Sequence, residues 1–285
     1  MSNCSIYGKS LEYALCQKFM DKGIILSPNS FKNYEAYSEK WNKLAKTQKD
    51  DFMLFSKLIV NWCKISDYKN LEVSLAQDHA GKSSKVADVI IKGKTTINLS
   101  IKNNKDYVKS HRPGGFSNQA KLDKKTSYDY KQEYNQVISL IYKKYENLKL
   151  FKQISINDKK KYIYNPIYDL TEKYLYKLSN KQIEFYFEFL SGSSGFYQCL
   201  NTKKEIIIHD RTKQLPKPIL LNCSRNNKGY LVVSFEFENR DPIKFSMRVH
   251  SASSRITKNI SLKFDVVVIT PYYDIKTIQK NDYKI

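Results

Sequence analysis

Apolar residues recur at helical spacing in the first quarter of the chain. Their intervals of three and four residues predict one helix over residues 8–20 and a long helical region over residues 31–64. Between these regions the segment Ser27-Pro28-Asn29 indicates a break, because proline and asparagine favour turns. The apolar positions that carry the two periodic patterns are Leu11, Leu15, Phe19, Trp41, Leu44, Phe52, Phe55, Leu58, Ile59 and Trp62.

The next part of the chain has the pattern of β-strands. A short strand is predicted over residues 69–75, and a polar loop follows it. The sequences VADVII (residues 86–91) and TTINLSIK (residues 95–102) are rich in β-branched residues, and the turn Lys92-Gly93-Lys94 separates them. This arrangement predicts a β-hairpin.

Two further helical regions and then a series of short strands are predicted for the rest of the chain. Helical patterns cover residues 121–150 and 157–198. The small and flexible sequence SGSSG at residues 191–195 is the best candidate for a domain boundary. We therefore predict an α/β protein with a first α/β region, a helical insertion or connection, and a β-rich C-terminal part. These three regions are residues 1–150, 151–195 and 196–285.

The charge of the chain is strongly positive. Its 285 residues include 49 Lys and Arg against 28 Asp and Glu, which gives a formal net charge of +21 at pH 7. Such an excess favours a polyanionic partner, either nucleic acid or an anionic membrane surface. The alternative is a solvated basic surface enlarged by the codon bias of an AT-rich genome. That bias would supply acidic residues as well, however, and these remain few.

Membrane insertion and cysteine or histidine chemistry are disfavoured. No stretch approaches the roughly 18 apolar residues of a membrane span, and Lys9, Glu12 and Lys18 interrupt the N-terminal segment, which does not resemble a secretory signal. The five cysteines are widely spaced without a CxxC pair, which favours reduced thiols in a cytoplasmic protein. The four dispersed histidines form no HExxH motif and no convincing Cys–His pair.

One charged pair in the predicted hairpin has the residue types of a metal-dependent nuclease. Asp88 lies within the first strand and Lys102 ends the second, so their side chains can meet at one sheet edge. A carboxylate can anchor Mg²⁺, and a lysine can orient or activate a water that attacks phosphorus. Ser100 stands two residues before Lys102, where many nucleases have a second carboxylate. Glu12 is our preferred donor of that carboxylate and Asp78 the next, whereas the alternative for the whole pair is a structural contact at a sheet edge.

Two donor-rich segments are candidates for DNA contact. One follows the hairpin and is basic and rich in amides, and the other lies between two strands near the C-terminus. Asparagine suits an adenine edge or a phosphate, arginine a guanine edge, and serine a phosphate oxygen. The alternatives are a solvated loop and an ordinary polar turn. Nearby, Lys263 and Asp265 interrupt an apolar run, which favours a structural ion pair at a sheet edge. The candidate contact residues are Asn103, Asn104, Lys105, Lys109, His111, Arg112, Arg248, His250, Ser253, Ser254 and Arg255.

Four short blocks of the sequence together resemble the HaeIII-type restriction endonucleases. These blocks are GKSLEYAL, VADVII, INLSIKNNKDYVKSHRP and FSMRVHSASSRITKNISLKFDVVVI. The family pattern has a strand with an aspartate, a G/N-x-S-x-K-x-N strand and loop, and a C-terminal R-x-H-x-A-S-S…SLKFD block. Residues 120–240 are outside the resemblance, and Lys105 stands where the pattern has a histidine.

The resemblance implies a PD-(D/E)xK-like mixed central sheet flanked by helices and Mg²⁺-dependent cleavage of double-stranded DNA at a short palindrome. By analogy the target is GGCC, cut to blunt ends. The resemblance assigns catalysis to Asp88 and Lys102, with Ser100 in the usual acidic position. It implies that residues 1–150 are the catalytic nuclease core and residues 196–285 a DNA-recognition region packed on that core. A homodimer would match a palindromic target, although a monomer that cuts the strands in turn is an alternative.

The same resemblance implies that the protein is located in the cytoplasm of a prokaryote. It also implies a cognate DNA methyltransferase that protects the host's own target sites. Two other functions stay open from the sequence. One is a basic nucleic-acid-binding protein without catalysis, and the other is a nuclease of the same core that cuts without sequence specificity.

Overall fold

The fold is described from a computed structural model. The structure describes residues 3–65, 67–68, 70–76, 86–104, 111–251, 253–270 and 272–283. The α-helices are α1 (Asn3–Met20), α2 (Phe31–Asn42), α3 (Lys46–Trp62), α4 (Phe116–Gln119), α5 (Lys124–Tyr145), α6 (Ile156–Lys159), α7 (Asn165–Leu175) and α8 (Asn180–Ser191). The strands are β1 (Ile25–Leu26), β2 (Glu72–Leu75), β3 (Val89–Lys92), β4 (Thr96–Asn103), β5 (Phe196–Asn201), β6 (Glu205–Arg211), β7 (Leu220–Arg225), β8 (Leu231–Phe237), β9 (Arg240–Ser251), β10 (Leu262–Val268) and β11 (Asp274–Gln279). Within these described ranges, no helix has both the length and the apolar character that crossing a membrane requires.

The larger sheet has seven strands and carries helices α1, α2 and α3. Its order is β1-β2-β3-β4-β5-β6-β11, with β1–β2 and β4–β5 parallel and the other neighbours antiparallel. Val89, Ile91, Leu99 and Ile101 are buried in one core with apolar residues of these helices, because alternate strand residues face the same side. The chain therefore has the mixed α/β architecture, with a large mixed sheet flanked by helices, that the sequence predicts.

A second hydrophobic core joins the later helices to a four-stranded antiparallel sheet of order β10-β9-β8-β7. Tyrosines from α5, α7 and α8 fill much of this core, and Tyr130, Tyr168, Tyr174 and Tyr186 are almost completely buried. Their hydroxyls keep partners inside it: the Tyr130 hydroxyl, for example, donates to the carbonyl oxygen of Pro113 at 2.6 Å. The helical tyrosines thus supply large apolar contacts without leaving these polar atoms unsatisfied.

The two cores share one interleaved chain. After the β3–β4 hairpin the chain enters the second core through α4–α8 and returns to the large sheet as β5 and β6. It then leaves for β7–β10 and comes back as β11. The predicted boundaries at residues 150 and 195 do not follow this packing. Helices α5 and α7 of one core lie on either side of residue 150, and the 191–195 segment leads into β5, which pairs directly with β4.

Two of the predicted helical regions are divided at points where a new helix begins. Residues 31–64 form two helices, because Ala45 is extended (φ −65°, ψ 154°) and its N–H donates to the Gln48 side chain at 3.3 Å. The region after residue 157 divides in the same way at Ser179, whose N–H donates to Gln182 at 2.9 Å. Its last predicted residues belong to strand β5.

Candidate active site

The predicted hairpin brings Asp88, Ser100 and Lys102 together on one face of the large sheet. Asp88 lies directly before β3, and its N–H donates to the carbonyl oxygen of Leu99 on β4 at 2.7 Å. Val89 pairs with Leu99, and both of these side chains point into the core below the sheet. Because neighbouring residues of a strand alternate between faces, the three polar side chains point to the opposite side.

Three donors converge on a single oxygen of Asp88. Its Oδ2 atom accepts hydrogen bonds from the Ile101 N–H at 2.7 Å, the Ser100 hydroxyl at 3.2 Å and the Lys102 ammonium at 3.3 Å. The side chains of Asp88 and Lys102 are mostly buried, with exposed fractions of 22% and 16%. Such a pair is held in a fixed geometry and is screened less by solvent than a pair on the surface.

Glu12 on α1 supplies a second carboxylate close to this pair. The residue is buried, and its Oε2 atom lies 3.1 Å from the Lys9 ammonium. The pKa of Glu12 is raised from 4.5 to about 8, chiefly because the group is buried and secondly because of the charge of Asp88, while Lys9 and Lys102 oppose the shift. Glu12 therefore shares the electrostatic environment of Asp88 and Lys102.

Asp88 and Glu12 are the residues at this place that could hold a Mg²⁺ ion. Magnesium is commonly held by one or two carboxylates and keeps several waters, so Asp88 and Glu12 provide the oxygen ligands that it prefers. Burial and, after it, the negative charge of Asp88 raise the pKa of Glu12, and a divalent cation would relieve the repulsion between the two carboxylates. Within the described ranges no group of three or more His, Cys, Asp or Glu residues is assembled, and Asp78 lies outside those ranges.

Asn103, which the sequence predicts as a DNA contact, belongs to a polar network at the end of β4. Its Oδ1 atom accepts from the Asn201 side chain at 3.2 Å, and that side chain also donates to Asp51 on α3 at 2.9 Å. Asp51 in turn lies 2.5 Å from the buried Lys280 ammonium. The network ties α3 to β4 and β5. Asn104 follows with a φ of 57°, a left-handed conformation that asparagine tolerates.

His111 does not lie at the surface where a DNA contact would require it. The side chain is completely buried, with its ring packed against Phe264, and its Nε2 atom lies 3.2 Å from the Tyr186 hydroxyl. Burial lowers the pKa of His111 to about 3, so the ring is neutral. This corrects the sequence-based assignment, since His111 is a core residue. Lys105 and Lys109 lie outside the described residues.

We expect the His111→Gln variant to lose less unfolding free energy than the wild type as pH falls below about 6.5. A buried histidine with a depressed pKa stabilises the fold above its ordinary pKa of about 6.5, and this contribution is lost as pH falls toward 3. The wild type should lose up to about 1.4 kcal/mol of unfolding free energy per pH unit through this one group. Urea unfolding between pH 7 and pH 4.5 would measure both slopes, and equal slopes would exclude His111 as the cause.

The C-terminal block forms an ion-paired group on the edge strand β10 and its neighbour β9. Asp265 accepts from Arg248 at 2.6 Å and lies 2.8 Å from the His250 Nε2 atom. Burial alone would raise the pKa of Asp265, but the hydrogen bonds from His250 and Arg248 outweigh it and hold the pKa well below its usual range. The predicted ion pair between Lys263 and Asp265 is therefore wrong, because Asp265 on β10 pairs with Arg248 and His250 of the neighbouring strand β9.

The remaining C-terminal candidates are exposed on the loop between β9 and β10. Ser253, Ser254 and Arg255 are exposed, and the loop pairs with residues 149–151 through backbone hydrogen bonds. Arg112 joins the same region, because its guanidinium donates to the Ser261 hydroxyl at 3.2 Å. The structure thus brings Arg112 to the C-terminal block, while the carboxylates and Lys102 form a second group on the large sheet.

Sequence reasoning missed two buried polar residues beside the candidate site. Ser100 on β4 pairs with Gln198 on β5, and Gln198 pairs with His209 on β6. Both are buried and lie on the same face of the sheet as Asp88 and Lys102. Their positions depend on the parallel pairing of β4 with β5, two strands far apart in sequence, which no local pattern reveals.

Comparisons with protein-family models, with curated proteins and with solved structures found no match to this chain. The chemistry of the site follows from its residues. Asp88 and Glu12 can hold a divalent cation, and the Lys102 ammonium can donate to an anionic substrate beside them. Such a combination suits the hydrolysis of a phosphate ester.

Proposed function

We propose that this protein is a type II restriction endonuclease that cleaves double-stranded DNA at a short palindrome with the help of Mg²⁺. The observation that carries the proposal is the convergence of Lys102 and Ser100 on one oxygen of Asp88, with the buried Glu12 in the same electrostatic environment. The net charge of +21 supports a DNA substrate. A four-base target such as GGCC, a homodimer and a cognate methyltransferase follow from the sequence resemblance and belong to the same proposal.

In this proposal each residue of the site has one role. Asp88 and Glu12 hold Mg²⁺, which when bound supplies positive charge at the scissile phosphate and the leaving oxygen. Lys102 orients the attacking water and donates to the phosphate as negative charge grows on it. Ser100 fixes the Asp88 carboxylate through its hydroxyl. Attack of water on phosphorus breaks the bond to the 3′ oxygen and leaves a 5′-phosphate and a 3′-hydroxyl.

One gel experiment tests the proposal against its alternatives. The purified protein is incubated with unmethylated phage DNA, with Mg²⁺ and with EDTA. Discrete bands that require Mg²⁺ are the expected result. A Mg²⁺-dependent smear would instead mean a nuclease without sequence specificity, and intact DNA that is shifted in the gel would mean a binding protein without catalysis.

We expect the exposed arginines of the C-terminal region to contribute to the salt dependence of DNA binding. Each phosphate contact adds about 0.9 to the slope of log affinity against log salt. The double variant Arg112→Gln/Arg255→Gln should therefore reduce this slope by about two, measured by fluorescence anisotropy in EDTA. Lys32→Gln, an exposed change on α2, is the control. An unchanged slope in the double variant would place the DNA elsewhere on the surface.

A further inference from the structure

A cavity of about 100 Å³ lies beside the loop that connects α8 to β5. Its walls include the segment Ser191-Gly192-Ser193-Ser194, Arg211 at the end of β6, and the aromatic ring of Tyr273. Gly192 has a φ of 78°, which lets the chain turn sharply after α8. The place is separate from the carboxylates described above, since neither Asp88 nor Glu12 lines it.

Arg211 is the feature that gives this cavity a chemical preference. The residue is only 3% exposed, and within the described part of the chain its Nε and Nη2 atoms have no hydrogen-bond partner. These two nitrogens form one edge of the planar guanidinium group. That edge is the one that binds two oxygens of a single oxyanion side by side.

Among the other described residues, the buried Lys280 and the partly exposed Arg225 each have a carboxylate partner. Lys280 lies 2.5 Å from Asp51, and Arg225 lies 2.9 Å from Asp169. For Arg211 the described residues provide no such ion pair. A buried charge without a counter-charge is costly, so an anion from solution would stabilise the folded protein here.

The structural contacts of Arg211 do not use the free edge. Its Nη1 atom alone donates to the Tyr272 hydroxyl at 2.6 Å and to the carbonyl oxygen of Ser191, the last residue of α8, at 3.4 Å. The flat face of the guanidinium stacks on the Tyr273 ring, 4.0 Å from its centroid. Capping of the helix and stacking therefore hold Arg211 in place, and they leave Nε and Nη2 buried and without a hydrogen-bond partner among the described residues.

The surroundings favour a doubly charged, tetrahedral oxyanion. Lys213 and Arg240 also line the cavity, and Ser194 offers an exposed hydroxyl. The acidic member of the lining is Asp210, whose Oδ1 atom accepts from the N–H of Thr212 at 3.0 Å. Lys213 is paired with Asp274 at 2.8 Å, so the positive charge of the lining comes from Arg211 and Arg240 against Asp210. The burial of Arg211 excludes a duplex backbone from its edge.

We propose that this cavity binds a phosphate monoester, with Arg211 holding two of its oxygens and Arg240 contributing at the mouth. Phosphate binding here is independent of whether the protein cleaves DNA. The ligand has two sources, namely free inorganic phosphate and the terminal phosphate of a nucleotide or an oligonucleotide.

The full-length protein is titrated in EDTA, at constant ionic strength set with chloride, while its thermal unfolding is followed. The three arms are inorganic phosphate, a nucleoside monophosphate and a short oligonucleotide with or without a 5′-phosphate. A rise of Tm that grows with ligand concentration is expected, because a ligand of the folded state alone stabilises it by mass action. A response confined to the 5′-phosphorylated oligonucleotide and the mononucleotide would identify a terminal phosphate as the ligand. The proposal would be overturned if Tm rose in none of the three arms by more than it does in chloride alone.

Variants separate the cavity from general charge effects. Arg211→Met should abolish the phosphate response, and Arg240→Gln, an exposed change that spares the cap of α8, should weaken the apparent affinity about three- to tenfold. Lys217→Gln removes one exposed charge outside the cavity lining and should leave the affinity unchanged. If Arg211→Met does not fold, Arg240→Gln decides. An affinity in Arg240→Gln equal to that in Lys217→Gln would overturn the proposal.

Discussion

Asp88→Asn is expected to slow Mg²⁺-dependent DNA cleavage by at least about 10³-fold while DNA binding in EDTA persists. The amide keeps the shape of the side chain, but it removes the negative charge that faces Lys102 and that would hold the metal ion. Single-turnover cleavage of a short duplex measures the rate, and circular dichroism checks the fold. Cleavage at the wild-type rate would remove Asp88 from the mechanism and leave its contacts with Ser100 and Lys102 as structural.

Lys102→Met should cause a loss of similar size, because no other described donor reaches the same carboxylate oxygen with a positive charge. A matched control breaks another lysine–carboxylate ion pair, which joins α5 and α7 and does not involve the large sheet. Lys173→Met removes the contact of Lys173 with Glu133 at 2.7 Å on the helical surface, and it should cut DNA normally. Equal rates in the two lysine variants would contradict the proposed role of Lys102.

Glu12→Gln is expected to stabilise the metal-free protein at alkaline pH, although it should impair cleavage. Burial raises the pKa of Glu12 to about 8, so the folded state holds a proton that the unfolded chain gives up near pH 4.5. The stabilising contribution of this group is complete below pH 4.5 and is lost as pH rises through about 8. The amide stays neutral at every pH and avoids the penalty, which is on the order of a few kcal/mol.

Urea unfolding in EDTA at pH 5, 7 and 8.5 checks this expectation. The free energy of unfolding of Glu12→Gln should exceed that of the wild type by an amount that grows with pH. Glu238→Gln, an exposed change beyond the end of β8, serves as the control and should follow the wild type at each pH. A constant difference between Glu12→Gln and the wild type would show that the carboxyl group ionises in the folded protein much as it does in water.

Local patterns in the sequence predict those parts of the fold that local interactions determine. The β3–β4 hairpin is confirmed because β-branched strands and a glycine-containing turn encode it within a few residues. The pairing of β4 with β5 was beyond prediction, since a parallel contact between distant segments leaves no short-range signal. For the same reason the domain boundaries drawn from composition at residues 150 and 195 do not follow the packing.

In the candidate site, too, only the residues placed by local interactions could be predicted from the sequence. Asp88 and Lys102 were predicted as neighbours because alternation along two adjacent strands determines which side chains share a face. His111 was predicted as a surface residue because a basic, polar sequence precedes it, yet the bridge of His111 with Phe264 on β10 draws it into the second core. Charge and polarity in the sequence cannot reveal such burial, which depends on a contact with a distant strand. Gln198 was missed for that reason as well.

The chain passes between its two cores four times, and the last strand of the large sheet comes from residues close to the C-terminus. Neither core is encoded by a contiguous stretch of the gene. Recombination cannot exchange one of them as a module, and a premature stop codon before β11 would leave the large sheet without one of its edge strands. Evolutionary change in the ligand that this molecule recognises is therefore expected to arise by local substitutions or loop changes within an otherwise intact chain.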